Sequence, residues 1–386
     1  MKENSLQRPC PVCQNATGEL LHTQKFILPD NHILPSKYDV VTCENCGFIF
    51  ADTTANQETY DRYYSEMSKY DMAYVNSDTL LFIERAAWIN TLVHNKATSI
   101  IDVGCGNGQL LLELRKLGFS NLTALDPSPK CIEDIQQQGI NGIAGSIFDI
   151  TSSIRYDAIV LSGVLEHICD VAKIIQTIKS LAKPDGLLLI CVPDASRYQD
   201  YDTVSFDYFN IEHINHFDET SLINLGFFHG LRVVNFFKTT IKLPQVEQPV
   251  IFCAYCNGDK TAMDWRNYSK KMVLKYIAHT RKNQTANIII DKLAKSGEEI
   301  VIWGAGNYTN RLLAASNLSK CNIVMLVDND KHKQGTSING KPICSPNDLL
   351  NVRNAPTIII AAVVFHNEII AEIKRMGLPN KVIVLK

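Results

Sequence analysis

The stretch Ile100-Ile101-Asp102-Val103-Gly104-Cys105-Gly106-Asn107-Gly108 decides how the rest of this chain is read. An apolar run leads into glycines at alternate positions, after which Leu110, Leu111, Leu112, Leu114 and Leu117 follow the helical period. The switch of period predicts a strand, a tight turn and the N-terminus of a helix. Glycines in that turn let the backbone approach a ligand closely and take positive φ without a Cβ penalty.

The segment Asn121 to Leu125 reads as the next strand and ends in Asp126 and Pro127, which places a carboxylate at a strand tip, where open α/β sheets hold the ribose of a nucleoside. A helix over Lys130 to Gln138 and a short strand over Gly142 to Gly145 follow. The loop Ser146-Ile147-Phe148-Asp149 then offers an apolar pair to sandwich a base and a carboxylate for its exocyclic amine. Tyr156 to Ser162 is a further strand. Gly163-Val164-Leu165-Glu166-His167-Ile168 beyond it puts Glu166 and His167 at the edge of the same cleft, with an architectural role expected for His167. Lys183 to Gly186 turns the chain into the buried strand Leu187 to Val192. The glycine spacing departs from the dinucleotide pattern Gly-x-Gly-x-x-Gly, although an NAD site or another doubly wound domain is the alternative reading. Asp102-x-Gly104-x-Gly106-x-Gly108 with Asp126 resembles the nucleotide site of class I S-adenosylmethionine-dependent methyltransferases. That resemblance implies S-adenosyl-L-methionine as cofactor, with contacts from Asp102, Gly104, Cys105, Gly106, Gly108, Asp126, Pro127, Phe148, Asp149, Ser162 and Glu166.

At 386 residues the chain is long enough for two or three domains. Its 38 Lys and Arg nearly balance 40 Asp and Glu, so no charge excess marks a nucleic-acid or membrane surface. The apolar runs are short and interrupted, and Met1 to Ser5 lacks a signal-peptide core, so a cytoplasmic protein is expected. In that compartment its 12 cysteines are read as metal ligands or small buried apolar groups, not as disulfides.

Cys10-Pro11-Val12-Cys13 and Cys43-Glu44-Asn45-Cys46 are two Cys-x-x-Cys knuckles, and four thiolates suit a tetrahedral Zn²⁺. Either knuckle alone could be a redox pair; the paired spacing favours zinc. A closed four-thiolate shell assigns the metal to folding, in a module with too little core to hold itself together. Residues 56–76 are rich in tyrosine (Tyr60, Tyr63, Tyr64, Tyr70, Tyr74), which suits interdomain packing or a substrate entrance, and they lead into a helix over Leu80 to Val93.

Beyond the first sheet, Phe209-Asn210-Ile211-Glu212-His213-Ile214-Asn215-His216-Phe217 places Glu212, His213 and His216 where the chain returns over the cleft. A histidine, with an unperturbed pKa near ~6.5, is the default proton acceptor at neutral pH. Cys253 and Cys256 form a third Cys-x-x-Cys inside a strand-like run, which sends the thiols to opposite faces and argues against a metal site. One helical connector is expected over Trp265 to Leu293. A second α/β unit begins at Glu299 to Asn307 and repeats the logic of strand, glycine turn (Gly304, Gly306), helix, strand and acid (Asp328). The unit could hold NAD, but Tyr308-Thr309 stand where the third dinucleotide glycine should fall; a phosphate or sugar-phosphate at the helix start is compatible with what remains.

The order of these parts resembles the zinc-containing sugar C-methyltransferases that act on nucleotide-linked keto-deoxysugars. The resemblance implies an α/β chain of three parts: a zinc-binding module (1–55), a class I methyltransferase Rossmann-like core (56–260) and a second Rossmann-like unit that binds the nucleotide-sugar (261–386). It assigns proton abstraction beside the sugar ketone to His213 with Glu212 as neighbour, structural zinc to Cys10, Cys13, Cys43 and Cys46, and substrate binding to Gly304, Gly306, Asn307 and Asp328. Asn210 stands where the family has a tyrosine, and the enolate is expected to be steadied by nearby donors such as Asn210 or a tyrosine. That exchange leaves an O- or N-methyltransferase on a nucleotide-sugar or glycan precursor as the alternative, and a non-catalytic nucleotide-sugar-binding protein as a third possibility. A small-molecule nucleotide-sugar is the expected partner, without nucleic acid or membrane; the oligomeric state is left open.

Overall fold

The computed structural model describes residues 5–66, 79–150, 154–201, 204–242, 247–258, 268–283 and 285–386, which together form three sheets. The N-terminal segment folds into antiparallel strands β1 (Gly18–Lys25), β2 (Lys37–Cys43) and β3 (Ile49–Asp52). A helix, Gln57–Glu66, carries Tyr60, Tyr63 and Tyr64; Tyr70 and Tyr74 lie outside the described residues.

The central unit follows as β4 (Ile100–Val103), β5 (Leu122–Asp126), β6 (Asn141–Ala144), β7 (Tyr156–Ser162) and β8 (Ala182–Pro193). Every residue of β4 is buried, as expected of a parallel strand covered on both faces. After β8 the chain makes β9 (Asn215–His216), the helix Glu219–His229, and the long antiparallel pair β10 (Leu231–Lys242) and β11 (Glu247–Asn257). That helix is delimited by local chemistry: Asp218 and Ser221 cap each other at its start, and Gly230 at φ 65° ends it.

The central sheet has the order β10-β11-β8-β7-β4-β5-β6, with β4 to β8 parallel and β11 antiparallel to β8. The winding runs outward from β4 through β5 to β6, then resumes at β7 on the other side of β4. A reversal of this kind opens a crevice at the carboxyl ends of the strands. One face of the sheet packs on Trp88 and Ile89 of the helix Thr79–Leu92 and on Leu110 and Leu114 of the helix Gln109–Lys116, and the other on Val171, Ile174 and Ile178 of the helix Val171–Leu181.

Two expectations are revised. The N-terminal module does not close within residues 1–55: β9 adds to its open edge, with Ile49 opposite His216 and Phe50 opposite Asn215. An exposed edge strand needs a partner, and the chain supplies its own. The connector is two helices, Tyr268–Lys282 and Thr285–Ser296.

The C-terminal sheet contains β12 (Glu299–Trp303), β13 (Asn322–Val327), β14 (Ser337–Ile338), β15 (Lys341–Cys344), β16 (Thr357–Ile360) and β17 (Val382–Val384) in the order β14-β15-β13-β12-β16-β17. All its pairings are parallel except β14 with β15. The N-terminal module bridges to this unit, since the Ile27 N–H donates to Asn310 O at 2.9 Å and the Asp30 N–H to Ser337 O at 3.0 Å. Among the described residues no helix is long and apolar enough to cross a membrane.

Candidate functional site

The turn after β4 is built as its glycines require. Gly104, Gly106 and Gly108 adopt φ of 70°, 52° and 75°, the left-handed region. A Cβ on Gly104 would lie 2.8 Å from Val164 Cγ2, and one on Gly108 2.7 Å from Ile135 Cγ1. The Gly104 and Cys105 amides both donate to Leu125 O, at 2.7 and 3.1 Å, so the turn is stitched to the end of β5. Asp126 completes the stitching: its Oδ2 accepts from the Gly106 N–H at 2.8 Å and its Oδ1 from the Ser128 N–H at 2.9 Å. Pro127 joins it to Ser128, which caps the helix Pro129–Gln137. Asp126 therefore shapes the glycine turn as well as presenting a carboxylate at the crevice.

Beneath the turn Asp102 is 2% exposed, and its Oδ1 has no hydrogen-bond partner among the described residues. Burial pushes its carboxyl up to about 7, against the pull of the Arg85 guanidinium. Burial likewise pushes the Cys105 thiol up, so Cys105 contributes its backbone and not a thiolate. Phe148 and Asp149 sit on a short turn after β6. Phe148 is half-buried, with the Lys173 ammonium 5.0 Å from its ring centre, whereas Asp149 is exposed. Ser162 ends β7, and Glu166 is 3% exposed at the cleft edge.

Around the second Glu-His pair the fold gathers side chains from distant parts of the sequence. The Tyr63 hydroxyl donates to Glu212 Oε1 at 3.0 Å. The His213 ring packs edge-on against His167, 4.7 Å between centres, and His167 Nδ1 lies 2.9 Å from the Tyr64 hydroxyl and 3.0 Å from Glu212 O. Ligating atoms of Glu166, His167 and His213 fall within 4.8 Å of one another. His32, from the loop between β1 and β2, stands 5.6 Å from the Tyr63 ring, and Asp330 of the C-terminal unit is near enough to help raise the Tyr63 phenol, after burial and Glu212.

Two expected roles change. The Asn210 carboxamide oxygen accepts from the Glu212 and His213 amides at 3.0 and 2.8 Å, and its Nδ2 donates to Asp207 O at 3.4 Å. It shapes the turn that presents the pair, which adds a positioning role to the donor role expected of it. His216, fully buried in β9 beside Tyr198, is held down to about 3 by burial and by the Arg8 charge, so it is a neutral core residue and no base.

His167 joins the site from the cleft edge and Tyr63 and Tyr64 from the tyrosine-rich stretch, whereas His32 is a member that its local sequence does not announce. The recurrence of Glu-His at 166–167 and 212–213 was a usable signal; nothing local marks His32.

In the N-terminal module the four cysteine sulfurs converge within 4.8 Å, with Cys10 to Cys46 at 3.6 Å and Cys13 to Cys43 at 3.5 Å. Gly47 at φ 73° turns the second knuckle. Cys253 is buried and Cys256 half-buried on β11, outside any such cluster among the described residues.

The C-terminal unit repeats the bracing of the central one. The Gly304 N–H donates to Val327 O at 2.8 Å, the Ala305 N–H to Asp328 Oδ2 at 2.8 Å, and the Asp330 N–H to Asp328 Oδ1 at 2.9 Å. Gly306 caps the helix Asn307–Ala315, and Lys333 Nζ lies 3.3 Å from Asp328 Oδ2. Gly304, Gly306, Asn307 and Asp328 thus share the carboxyl end of this second sheet.

Comparison with known proteins bears on the central and the C-terminal segments. Residues 71–235 match the family model described as a methyltransferase domain, and residues 296–384 match one described as C2185-like, N-terminal. The chain is 31% identical over 103 residues to a ubiquinone biosynthesis O-methyltransferase of Rickettsia akari, covering 25% of this chain and 41% of that protein. It is 39% identical over 75 residues to the Homo sapiens EEF1A lysine methyltransferase 2, covering 18% and 29%. The chain thus spans less than half the length of these curated relatives. A solved structure of the Burkholderia thailandensis 1,6-didemethyltoxoflavin-N1-methyltransferase aligns with a TM-score of 0.42 at 16% identity, over 60% of this chain and 100% of that one.

Proposed function

We propose that this chain is an S-adenosylmethionine-dependent methyltransferase that methylates carbon on a nucleotide-linked keto sugar. The observation that carries the reading is the cluster of Glu212, His213, His167, Tyr63 and Tyr64, in a chain with two glycine turns whose acids, Asp126 and Asp328, are braced alike. The residues present fit the cofactor: a turn that tolerates only glycine, the Asp126 carboxylate for a sugar diol, and the partnerless Asp102 Oδ1 for a cationic amine. When bound, S-adenosylmethionine supplies an electrophilic methyl group. His213 takes the proton from the carbon beside the ketone, and the Glu212 carboxylate, itself held by Tyr63, favours the imidazolium that results. His167 and Tyr64 form a hydrogen-bonded pair placed to carry the proton onward. Asp328 and the helix starting at Asn307 hold the nucleotide end of the substrate.

The test is a screen of nucleotide-sugars for thermal stabilisation with S-adenosylhomocysteine, followed by product NMR. A new C–CH₃ is the expected signal; O–CH₃ or N–CH₃ transfers the assignment to the alternative chemistry, in which the same base deprotonates a hydroxyl or amine.

A pH dependence of cofactor binding follows from Asp102. Its carboxyl in the free protein stands near 7, and a cationic amine favours the ionised form, so binding releases a proton. Affinity for S-adenosylhomocysteine should therefore rise with pH through 7, by up to about tenfold per unit below it. Calorimetry at pH 6 and 8 in two buffers checks this. A flat profile would remove Asp102 from the contact, and Asp102→Asn should flatten the slope.

The four converged sulfurs fit Zn²⁺, which Cys10, Cys13, Cys43 and Cys46 would hold in a closed shell, leaving the metal a folding role. Elemental analysis should find about one zinc per chain, reduced by Cys43→Ser. An oxidised, zinc-free chain would restore the redox-pair reading.

A further inference from the structure

We propose that Asn215, clamped by Arg8, is a positioning residue through which the N-terminal cysteine module sets the relative placement of His167 and His213. The proposal rests on the reading of those histidines as the proton-handling pair. Asn215 is 1% exposed, and all the hydrogen-bonding groups of its carboxamide are engaged. Nδ2 donates to Leu165 O at 2.8 Å and to Ile168 O at 2.7 Å, the carbonyls on either side of Glu166-His167. Oδ1 accepts from Arg8 Nη2 at 2.6 Å.

Arg8 belongs to the cysteine module, two positions before Cys10. Its backbone N–H is fastened to Asp52 Oδ1 at 3.0 Å, and its guanidinium lies 5.2 Å from the Phe50 ring centre. The backbone next to Asn215 repeats the tie: the Ile214 N–H donates to Glu166 O at 2.8 Å, and Ile214 O accepts from the Ala51 N–H at 2.8 Å. Residues 214 and 215 therefore join three things: the backbone that carries His213, the turn that carries Glu166 and His167, and the β3 edge of the module. Aspartate has no donor for the two carbonyls, leucine has neither donor nor acceptor, and glutamine is one methylene too long. A buried amide that merely filled space would be replaceable by an apolar side chain of the same shape at little cost. One whose bonds run to the carbonyls flanking a histidine turn confers register.

The test uses the full-length protein labelled with ¹³C at histidine Cε1, together with calorimetric titration by S-adenosylhomocysteine, so no methyl-accepting substrate is needed. Asn215→Asp and Arg8→Met should each displace the His167 and His213 resonances and move their titration midpoints by about half a unit or more. The exposed His94 should stay in place, and the affinity for S-adenosylhomocysteine should hold within about twofold. Arg8→Lys, which keeps the charge and a donor, should recover most of the shift. Unmoved resonances in Asn215→Asp and Arg8→Met overturn the proposal. So does a joint loss of cofactor binding and of native chemical-shift dispersion in Arg8→Met that Arg8→Lys fails to repair, because that marks a packing role only. Failure of the underlying reading shows separately: His213→Ala would then retain turnover whatever Asn215 does.

Discussion

On the proposed keto-sugar reading, replacing His213 with alanine should abolish solvent-deuterium exchange into the substrate and lower turnover by on the order of 10²–10⁴-fold, the usual contribution of a positioned base. The substitution is clean because the turn is held from the backbone: Asn210 accepts from the amide of residue 213, which alanine retains. Binding of S-adenosylhomocysteine should be unchanged, since the glycine turn and Asp126 make their own bonds elsewhere. Glu212→Gln keeps an oxygen for the Tyr63 hydroxyl and loses only the charge, so a smaller loss, roughly tenfold, is expected there. Retained exchange in His213→Ala would move the base to another residue, with His167 the next to test.

Asp126→Ala should weaken S-adenosylhomocysteine binding by on the order of 10²-fold in calorimetry, because it removes two jobs at once. The Gly106 and Ser128 amides lose a charged partner in a site where Asp126 itself is 9% exposed, and hydrogen bonds to charged groups contribute about 1.5–3 kcal/mol each. On the proposed reading the cofactor's sugar diol loses its acceptor as well. Asp126→Asn keeps one carbonyl oxygen and should fall between alanine and the native residue. Asp328→Ala removes the matching brace in the other unit, so its effect should appear in nucleotide-sugar binding with S-adenosylhomocysteine affinity held within about twofold. Equal losses in both variants would mean that one carboxylate does not serve one ligand.

The parts of this protein that could be read in advance are those whose chemistry is local. A turn needing positive φ at alternate positions admits glycine and little else, so residues 104–108 declare themselves, and β4 through the following helix is where the pattern places it. Cysteine pairs with two residues between them have few uses, and their convergence in space matches the spacing. Capping is local too, and the helix Glu219–His229 begins and ends at its own signals.

Other features were ambiguous because the same residues serve two kinds of role. Asn210 is a hydrogen-bonding side chain, but an asparagine two and three residues before amides it can reach is also a turn former, and the fold uses it so. His216 lies three residues from His213; β-strand pairing with Ile49 carries it into the core, where desolvation removes its basicity.

From order and spacing alone follow the alternation of strands and helices, the glycine turns with their acids, and the two cysteine knuckles, because each depends on backbone conformations or atoms a few residues apart. Only the tertiary structure brings His32, Tyr63, Tyr64, His167 and His213 to one place and closes the N-terminal sheet with Asn215–His216. Those contacts join residues far apart in the chain, and they are selected by burial and by the pairing of an open sheet edge, which no short window of sequence encodes.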